Sequence, residues 1–169
     1  YSSSNVSSEN QEVGGLLGYS ENGYIYNCYA DGSVTGFGRV GGLVGWNWEN
    51  TIINSYATGS VLGSEAGGLV GQNVDGYINR CYAEGNVSGR SDYSHQLGGL
   101  VGDNRGAISK SFATGDVIGQ SYSYYLGGLV GENGYGHISP ITNSYSSGKV
   151  IGGSDSQYLG GLIGKNGYG

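Results

Sequence analysis

A five-residue block that begins Gly-Gly-Leu and ends in glycine occurs six times in this chain. Such tandem copies indicate a repeat architecture, in which each copy is one structural unit. Glycine supplies 37 of the 169 residues, a density that destabilises helices throughout and excludes an α-helical domain. Successive copies start 27, 26, 31, 29 and 33 residues apart, at Gly14, Gly41, Gly67, Gly98, Gly127 and Gly160.

Each repeat contains three β-prone segments separated by Asn- and Gly-rich turns, and this pattern fits one coil of a β-solenoid. We therefore predict an all-β fold, a three-sided β-solenoid (β-helix) of about six coils. It would form a single domain over residues 1–169, in which residues 1–13 complete a partial first coil. A β-propeller blade needs about 40 residues, which exceeds this period. A sandwich would not require the same residues at the same place in every unit.

The spacing differences between repeats fall at one corner of the predicted coil. Insertions in a solenoid stack on one edge, and that edge is often the binding edge. The longer loops are rich in serine and tyrosine, a mixture typical of adaptable binding loops. They could bind a ligand or form a lid over the apolar wall, and their candidate residues are Tyr93, His95, Tyr122, Tyr124, Tyr125 and Tyr158.

The glycine block, the asparagine that follows it, and the Ser/Cys-Tyr-Ala-x-Gly-x-Val-x-Gly segment together resemble the GLUG repeat. That family occurs in bacterial and archaeal surface proteins, including adhesin-like chains and the non-catalytic part of IgA-cleaving metallopeptidases. The resemblance covers nearly the whole chain and implies an extracellular or cell-surface β-solenoid. The zinc-binding His-Glu-x-x-His of the peptidases is absent from this sequence, so their activity is not implied.

If the glycine block is a strand, side chains alternate between its two faces, and both faces are apolar in every repeat. Such a wall is either covered by the long loops or exposed as a lateral contact stripe. The residues of this predicted stripe are Val40, Val44, Val70, Leu97, Val101, Leu126, Val130, Leu159 and Ile163.

One aromatic residue recurs at the same place in each repeat, as Tyr29, Tyr56, Tyr82, Phe112 and Tyr145. Rings one coil apart can stack as a structural ladder, which we favour over a sugar-binding platform. Cys28 and Cys81 share another column two coils apart, roughly 9.6 Å, which is too far for a disulfide.

The sequence offers no catalytic constellation, and we expect no enzyme activity, no cofactor and no metal site. The two histidines have no cysteine or carboxylate at metal-ligand spacing, and the acidic residues are scattered. A formal net charge of −6 argues against a nucleic-acid partner. No apolar run is long enough for membrane insertion as a helix.

The two ends are nearly in phase, because Tyr1 and Val6 align with the columns of Tyr145 and Val150. The other end stops at Gly167 and Tyr168, in the turn before those columns. Uncapped solenoid ends of this kind can stack head to tail, although a window cut from a longer repeat protein would look alike. We therefore predict an extracellular structural protein, a subunit or segment of a cell-surface filament whose partner is itself.

The alternative is an adhesin module that binds a glycan or host protein through the tyrosine-rich loops. A polysaccharide-processing β-helix is disfavoured by the lack of clustered acids and bases.

Overall fold

The structure, a computed structural model, describes residues 1–9 and 11–167 and consists of short parallel β-strands wound into a solenoid. Successive coils pair in register, so that identical residues lie above one another, as in the column Val34, Val61, Val87, Val117 and Val150. The predicted fold class, an all-β solenoid, is confirmed. Within the described residues, no helix is long and apolar enough to cross a membrane.

Each coil passes through four sheets, which we name after their characteristic residues. The glycine sheet contains Glu12–Gly14, Arg39–Gly41, Glu65–Gly67, His95–Gly98, Tyr124–Gly127 and Gln157–Gly160. The long sheet contains Leu17–Glu21, Tyr24–Tyr26, Val44–Trp48, Thr51–Ile53, Val70–Asn79, Val101–Ser109, Val130–Asn133, Ile141–Thr142 and Ile163–Asn166.

The chain then enters two sheets of shorter strands. The tyrosine sheet contains Tyr29–Ala30, Tyr56–Ala57, Tyr82–Ala83, Phe112–Ala113 and Tyr145–Ser146. The valine sheet contains Val6–Ser7, Val34–Thr35, Val61–Gly63, Val87–Gly89, Val117–Ile118 and Val150–Ile151. Because the tyrosine sheet has five strands among the described residues, the solenoid has fewer complete coils than the six predicted.

The glycine block is not one strand but a sharp bend between the glycine and long sheets, which is why the coil has four faces rather than the predicted three. A Cβ atom added at Gly41 would overlap the carbonyl oxygen of Val44 across the bend. One added at Gly42 would overlap the carbonyl oxygen of Gly68 and lie 2.8 Å from the Cβ of Ala57. Two adjacent residues without side chains are therefore needed at this corner.

The interior consists of two apolar clusters. One lies between the valine and glycine sheets and contains Val40, Leu97 and Leu126, and the other lies between the long and tyrosine sheets and contains Val44, Val101 and related residues. This burial corrects the expectation of a lateral contact stripe. The bend turns the two halves of the block in different directions, so that both apolar sets face inward. Seven of the nine predicted stripe residues have a relative exposure of 0%, namely Val40, Val44, Val70, Leu97, Val101, Leu126 and Val130.

The two remaining stripe residues lie in the last coil. Leu159 is 44% exposed and Ile163 is half-buried, because no described coil covers them from above. Their exposure belongs to the end of the solenoid and not to its side.

Candidate functional site

The aromatic residues of the tyrosine sheet form one stack along the solenoid axis, which we call the tyrosine ladder. Successive ring centroids lie 4.7–5.1 Å apart, with ring planes within 5° of parallel. Partial burial in this stack raises the pKa of Tyr82. The ladder consists of Tyr1, Tyr29, Tyr56, Tyr82, Phe112 and Tyr145.

Each inner ring of the ladder is covered on both faces by its neighbours, so the flank presents ring edges to solvent. Sugars stack on ring faces, and the flank of the ladder is therefore unsuited to bind them. Only the end rings, Tyr1 and Tyr145, have an open face, and they are 79% and 55% exposed.

A second axial column, of asparagine side chains, was not recognised as a ladder in the sequence. The Nδ2 of each residue donates to the Oδ1 of the next, with donor–acceptor distances of 2.7–2.8 Å, and most of the column is buried. The same Nδ2 atoms also donate to backbone oxygens of their own turns. The column, hereafter the asparagine ladder, consists of Asn47, Asn73, Asn104, Asn133 and Asn166.

The asparagine ladder has a direction. All its side-chain hydrogen bonds donate toward the C-terminal end, where Asn166 is exposed. At the other end Ser20 takes the column position, and its hydroxyl accepts from Asn50 at 2.6 Å. The two ends of the column therefore differ chemically, since one carries an amide donor and the other a hydroxyl acceptor.

Both ends of the described solenoid expose apolar side chains. Leu162 is 40% exposed, whereas its counterparts Leu43 and Leu100 are fully buried, and Leu17 at the first coil is 38% exposed. Of the predicted assembly residues, Val6 pairs with the valine sheet, and the Gly167 amide donates to the Asn133 carbonyl at 3.1 Å. Tyr168 lies outside the described residues.

The corner between the valine and glycine sheets is hereafter called the loop corner. In the last three coils it carries long, tyrosine-rich insertions. Tyr93 stacks on Tyr122 at 5.1 Å, and His95 stacks on Tyr124 at 5.4 Å. Tyr125 contacts Tyr124 edge-on at 4.9 Å and Tyr158 at 5.4 Å. The structure thus brings all six predicted loop residues together on one edge.

Several of these tyrosines have left-handed backbone conformations, with φ values of 63° at Tyr93, 57° at Tyr122, 61° at Tyr125 and 58° at Tyr158. That region is disfavoured for bulky residues and costs on the order of 1 kcal/mol each. Gln96 and Asp155, the counterparts of Tyr125 and Tyr122 in neighbouring coils, have the same conformation, so it belongs to the turns of this corner.

A groove of about 230 Å³ opens at the loop corner beside Tyr122 and Tyr124. The exposed side chains of Asp155 and Gln157 line its other side, together with the ring of Tyr158. Aromatic faces beside hydrogen-bonding groups are the arrangement that binds polar ring-shaped ligands. Asp155 was not among the predicted site residues.

A larger cavity of about 430 Å³ lies at the same corner in the first coils and is lined by polar residues, including Arg39, Glu65 and His95. His95 Nε2 lies 3.5 Å from a Glu65 oxygen, and Arg39 pairs with Glu12 at 2.9 Å. Arg90 lies 3.9 Å from Glu9, which also lines the cavity, and the buried Arg39 Nε atom has no hydrogen-bond partner among the described residues.

The most buried carboxylates lie on the long sheet and are both neutralised by cations. Arg105 contacts Asp103 at 2.7 Å, and Lys165 contacts Glu132 at 2.7 Å. The hydrogen bond to Glu132 raises the pKa of Lys165. Among the described residues, no group of three or more His, Cys, Asp or Glu side chains could hold a metal ion.

Comparison with known families places the GLUG motif on three segments of the chain, residues 9–35, 38–62 and 122–151. The coils between residues 63 and 121 have the same strands in the same registers, so the repeat continues through them. No curated protein and no solved structure matches the chain.

Proposed function

Because the chain carries tandem GLUG motifs, we propose that it is a non-enzymatic structural protein, a segment or subunit of an extracellular filament. Its coils stack along one axis, and its partner is a second copy bound head to tail. The interface is strand pairing between the last coil of one copy and the first coil of the next.

The in-register parallel stacking of the coils carries this proposal. Every strand pairing among the described residues joins equivalent positions of neighbouring coils in parallel. A copy stacked on the last coil would bring the open face of its Tyr1 onto Tyr145, which continues the tyrosine ladder. Its Leu17 would lie over Ile163 and its Leu16 over Leu162, so that apolar surface on both copies is removed from water.

The asparagine ladder supports one polarity of this contact. Asn166 at the last coil would donate its Nδ2 hydrogen to the Ser20 hydroxyl of the next copy, which still has an acceptor lone pair. Two copies that met through their last coils would place the Asn166 amides donor against donor. Head-to-tail contacts along the solenoid axis do not close into a ring, and contacts that do not close generate filaments.

The test is the association of the purified chain, measured by sedimentation velocity and negative-stain microscopy over a range of concentrations. We expect rods that lengthen with concentration and give a fibre-diffraction spacing of about 4.8 Å along the axis. Leu162→Lys places a charge on the end coil and should abolish the rods.

The matched control is Leu62→Lys, because Leu62 is 37% exposed, close to the 40% of Leu162, but lies on the flank of an inner coil. Rods should persist in this variant. A wild-type chain that stays monomeric at all concentrations, or equal loss of rods in both variants, would overturn the proposal.

A second candidate function is binding of a ligand through the loop corner. The groove beside Tyr122 and Tyr124 favours it, because open aromatic faces occur there and not on the flank of the tyrosine ladder. The groove lies on the side of the solenoid, but Asp155 and Gln157 belong to the last coil, which also carries the proposed axial contact, so ligand binding and assembly are measured separately.

A further inference from the structure

We propose that the groove between Tyr122, Tyr124, Asp155 and Gln157 binds one pyranose ring of a neutral glycan. The inference deepens the second candidate function by naming its ligand class, and it does not depend on filament assembly.

At the loop corner, two columns of stacked aromatic rings end one coil earlier than the backbone pairing that supports them. In the first column, Tyr93 and Tyr122 are followed by Asp155. The backbone nevertheless continues in register, because the Tyr122 amide donates to the Ser154 carbonyl at 2.7 Å, as the Tyr93 amide does to Ser121 at 3.0 Å. The coil is present where the third ring is missing.

The second column repeats this interruption. His95 stacks on Tyr124, and the residue paired with Tyr124 in the next coil is Gln157. Neither Tyr122 nor Tyr124 therefore has a stacked ring in the next described coil, and the groove that opens beside both is also lined by Tyr158. One flat ligand ring could occupy the place of the missing side chains.

The size of the groove suits a single sugar ring. Its volume is about 230 Å³, whereas pockets for drug-sized ligands are typically about 300–1,000 Å³. A pyranose has an apolar face of C–H groups that packs on an aromatic face, and hydroxyls around its rim.

The polar side chains of the groove suit those hydroxyls. The Asp155 carboxylate accepts hydrogen bonds from vicinal hydroxyls, and the Gln157 amide both donates and accepts. A planar aromatic ligand would stack equally well but would leave these groups without partners, which is unfavourable on binding.

Charge selects neutral over acidic sugars. Asp155 contributes a negative charge at the groove, and the chain has a formal net charge of −6. A uronic acid, sialic acid or phosphate group would be repelled there. The stack of Tyr93 beneath Tyr122 and the left-handed backbone of Tyr122 hold the binding ring in place before the ligand arrives.

The test is an array of neutral and acidic oligosaccharides probed with the purified chain, followed by NMR titration of the best ligand at millimolar concentration. We expect binding to neutral pyranose chains, with shifts confined to the tyrosines of the loop corner. Asp155→Tyr supplies the missing third ring, and it should weaken binding at least about tenfold while the thermal midpoint is unchanged or raised.

Two further variants keep the inference falsifiable. Asp155→Asn keeps hydrogen-bonding capacity, so neutral glycans should still bind, while acidic ones bind better than to the wild type. Tyr24→Ala removes a tyrosine that is 84% exposed and lies on the long sheet in the first coil, away from the groove. This variant should leave binding unchanged.

Failure to bind any neutral glycan, or full binding by Asp155→Tyr, would overturn the inference. Sedimentation of each variant reads filament assembly separately, so that a loss of glycan binding is distinguished from a loss of assembly.

Discussion

The tyrosine ladder and the loop corner both consist of rings stacked one coil apart, yet they expose different surfaces. The ladder is continuous over six rings and shows ring edges along its flank. At the loop corner the columns have two rings each and end beside Asp155 and Gln157. The same stacking geometry is therefore structural where every coil contributes a ring, and suited to binding where one coil does not.

The difference arises from what holds each ring. A ladder ring stands on a strand whose neighbours pair in register on both sides, and an alanine next to it is buried. At the loop corner, Tyr93 and Tyr122 stand on insertions outside the sheets with a left-handed backbone, whereas His95 and Tyr124 begin strands of the glycine sheet. The insertions at this corner leave the registers of the neighbouring valine and glycine sheets unchanged.

The largest effect we expect comes from breaking the glycine corner, on which the register of both regions depends. Gly68→Ala would push a Cβ atom into the carbonyl oxygen of Gly99 and to 2.8 Å from the Cβ of Ala83. A well-packed interior cannot absorb this overlap, and we expect destabilisation of about 3–5 kcal/mol, measured by urea unfolding.

Gly161→Ala is the matched control, because Gly161 has the same place in the last coil and a Cβ there meets nothing within 4 Å. Its stability should change by less than about 0.5 kcal/mol. It should also reduce rod formation, since a stacked copy would cover that position. A fully stable Gly68→Ala would show that the coils are not closely stacked.

The asparagine ladder gives the next largest effect. Asn104→Ala removes hydrogen bonds to Asn73, Asn133 and the Gly106 carbonyl, and it leaves buried polar atoms without partners. We expect a loss of about 2–4 kcal/mol in the free energy of unfolding. Asn166→Ala at the exposed end should cost less than about 1 kcal/mol, and equal losses at both positions would contradict a buried ladder.

The period, the in-register stacking and the glycine block could be predicted from the sequence, because a repeat reports which residues share a column. The four faces of the coil could not be predicted, because a Gly-Gly-Leu sequence is compatible both with a continuous strand and with a bend at the glycine pair. The sequence therefore leaves open whether Val40 and Val44 lie in an exposed stripe or under the long loops, whereas the bend at Gly41 and Gly42 turns both into the interior.

The candidate site was partly predictable for a related reason. Repeat comparison draws attention to residues that recur, such as Tyr122 and Tyr124, and the insertions at their corner mark them further. Asp155 and Gln157 matter because they break a column, and their departure from the pattern becomes informative only once the register of the loops is known.

Truncation of one ring in each region tests the comparison directly. Tyr82→Ala removes a ring stacked on both faces and should cost about 2 kcal/mol. Tyr122→Ala removes a ring that is 46% exposed, and should cost less than about 1 kcal/mol while glycan binding is lost. Tyr82→Phe should be nearly neutral, because Phe112 already occupies the ladder. Equal stability losses for the two alanine variants would mean that the loop-corner rings are structural as well.

The smallest effect we expect concerns the two cysteines of one column, which differ in burial. Cys81 is fully buried and Cys28 half-buried, and both are free. Burial raises the pKa of Cys81 from its ordinary 9.0 to about 11. The folded state therefore keeps the proton longer than the unfolded state, so this contribution to stability is complete below pH 9 and is lost as the pH rises toward 11.

Cys81→Ser is the matched variant, because Ser55 and Ser111 occupy the same column and accept hydrogen bonds from the neighbouring coil at 3.1 Å. Between pH 9 and 11 the wild type should lose unfolding free energy relative to the variant. Comparing the two proteins cancels the titration of the tyrosines that they share. In the native state Cys28 should react with a thiol reagent much faster than Cys81. Comparable rates would mean that the interior opens readily, and a column that opens readily could not hold the loop-corner rings in register.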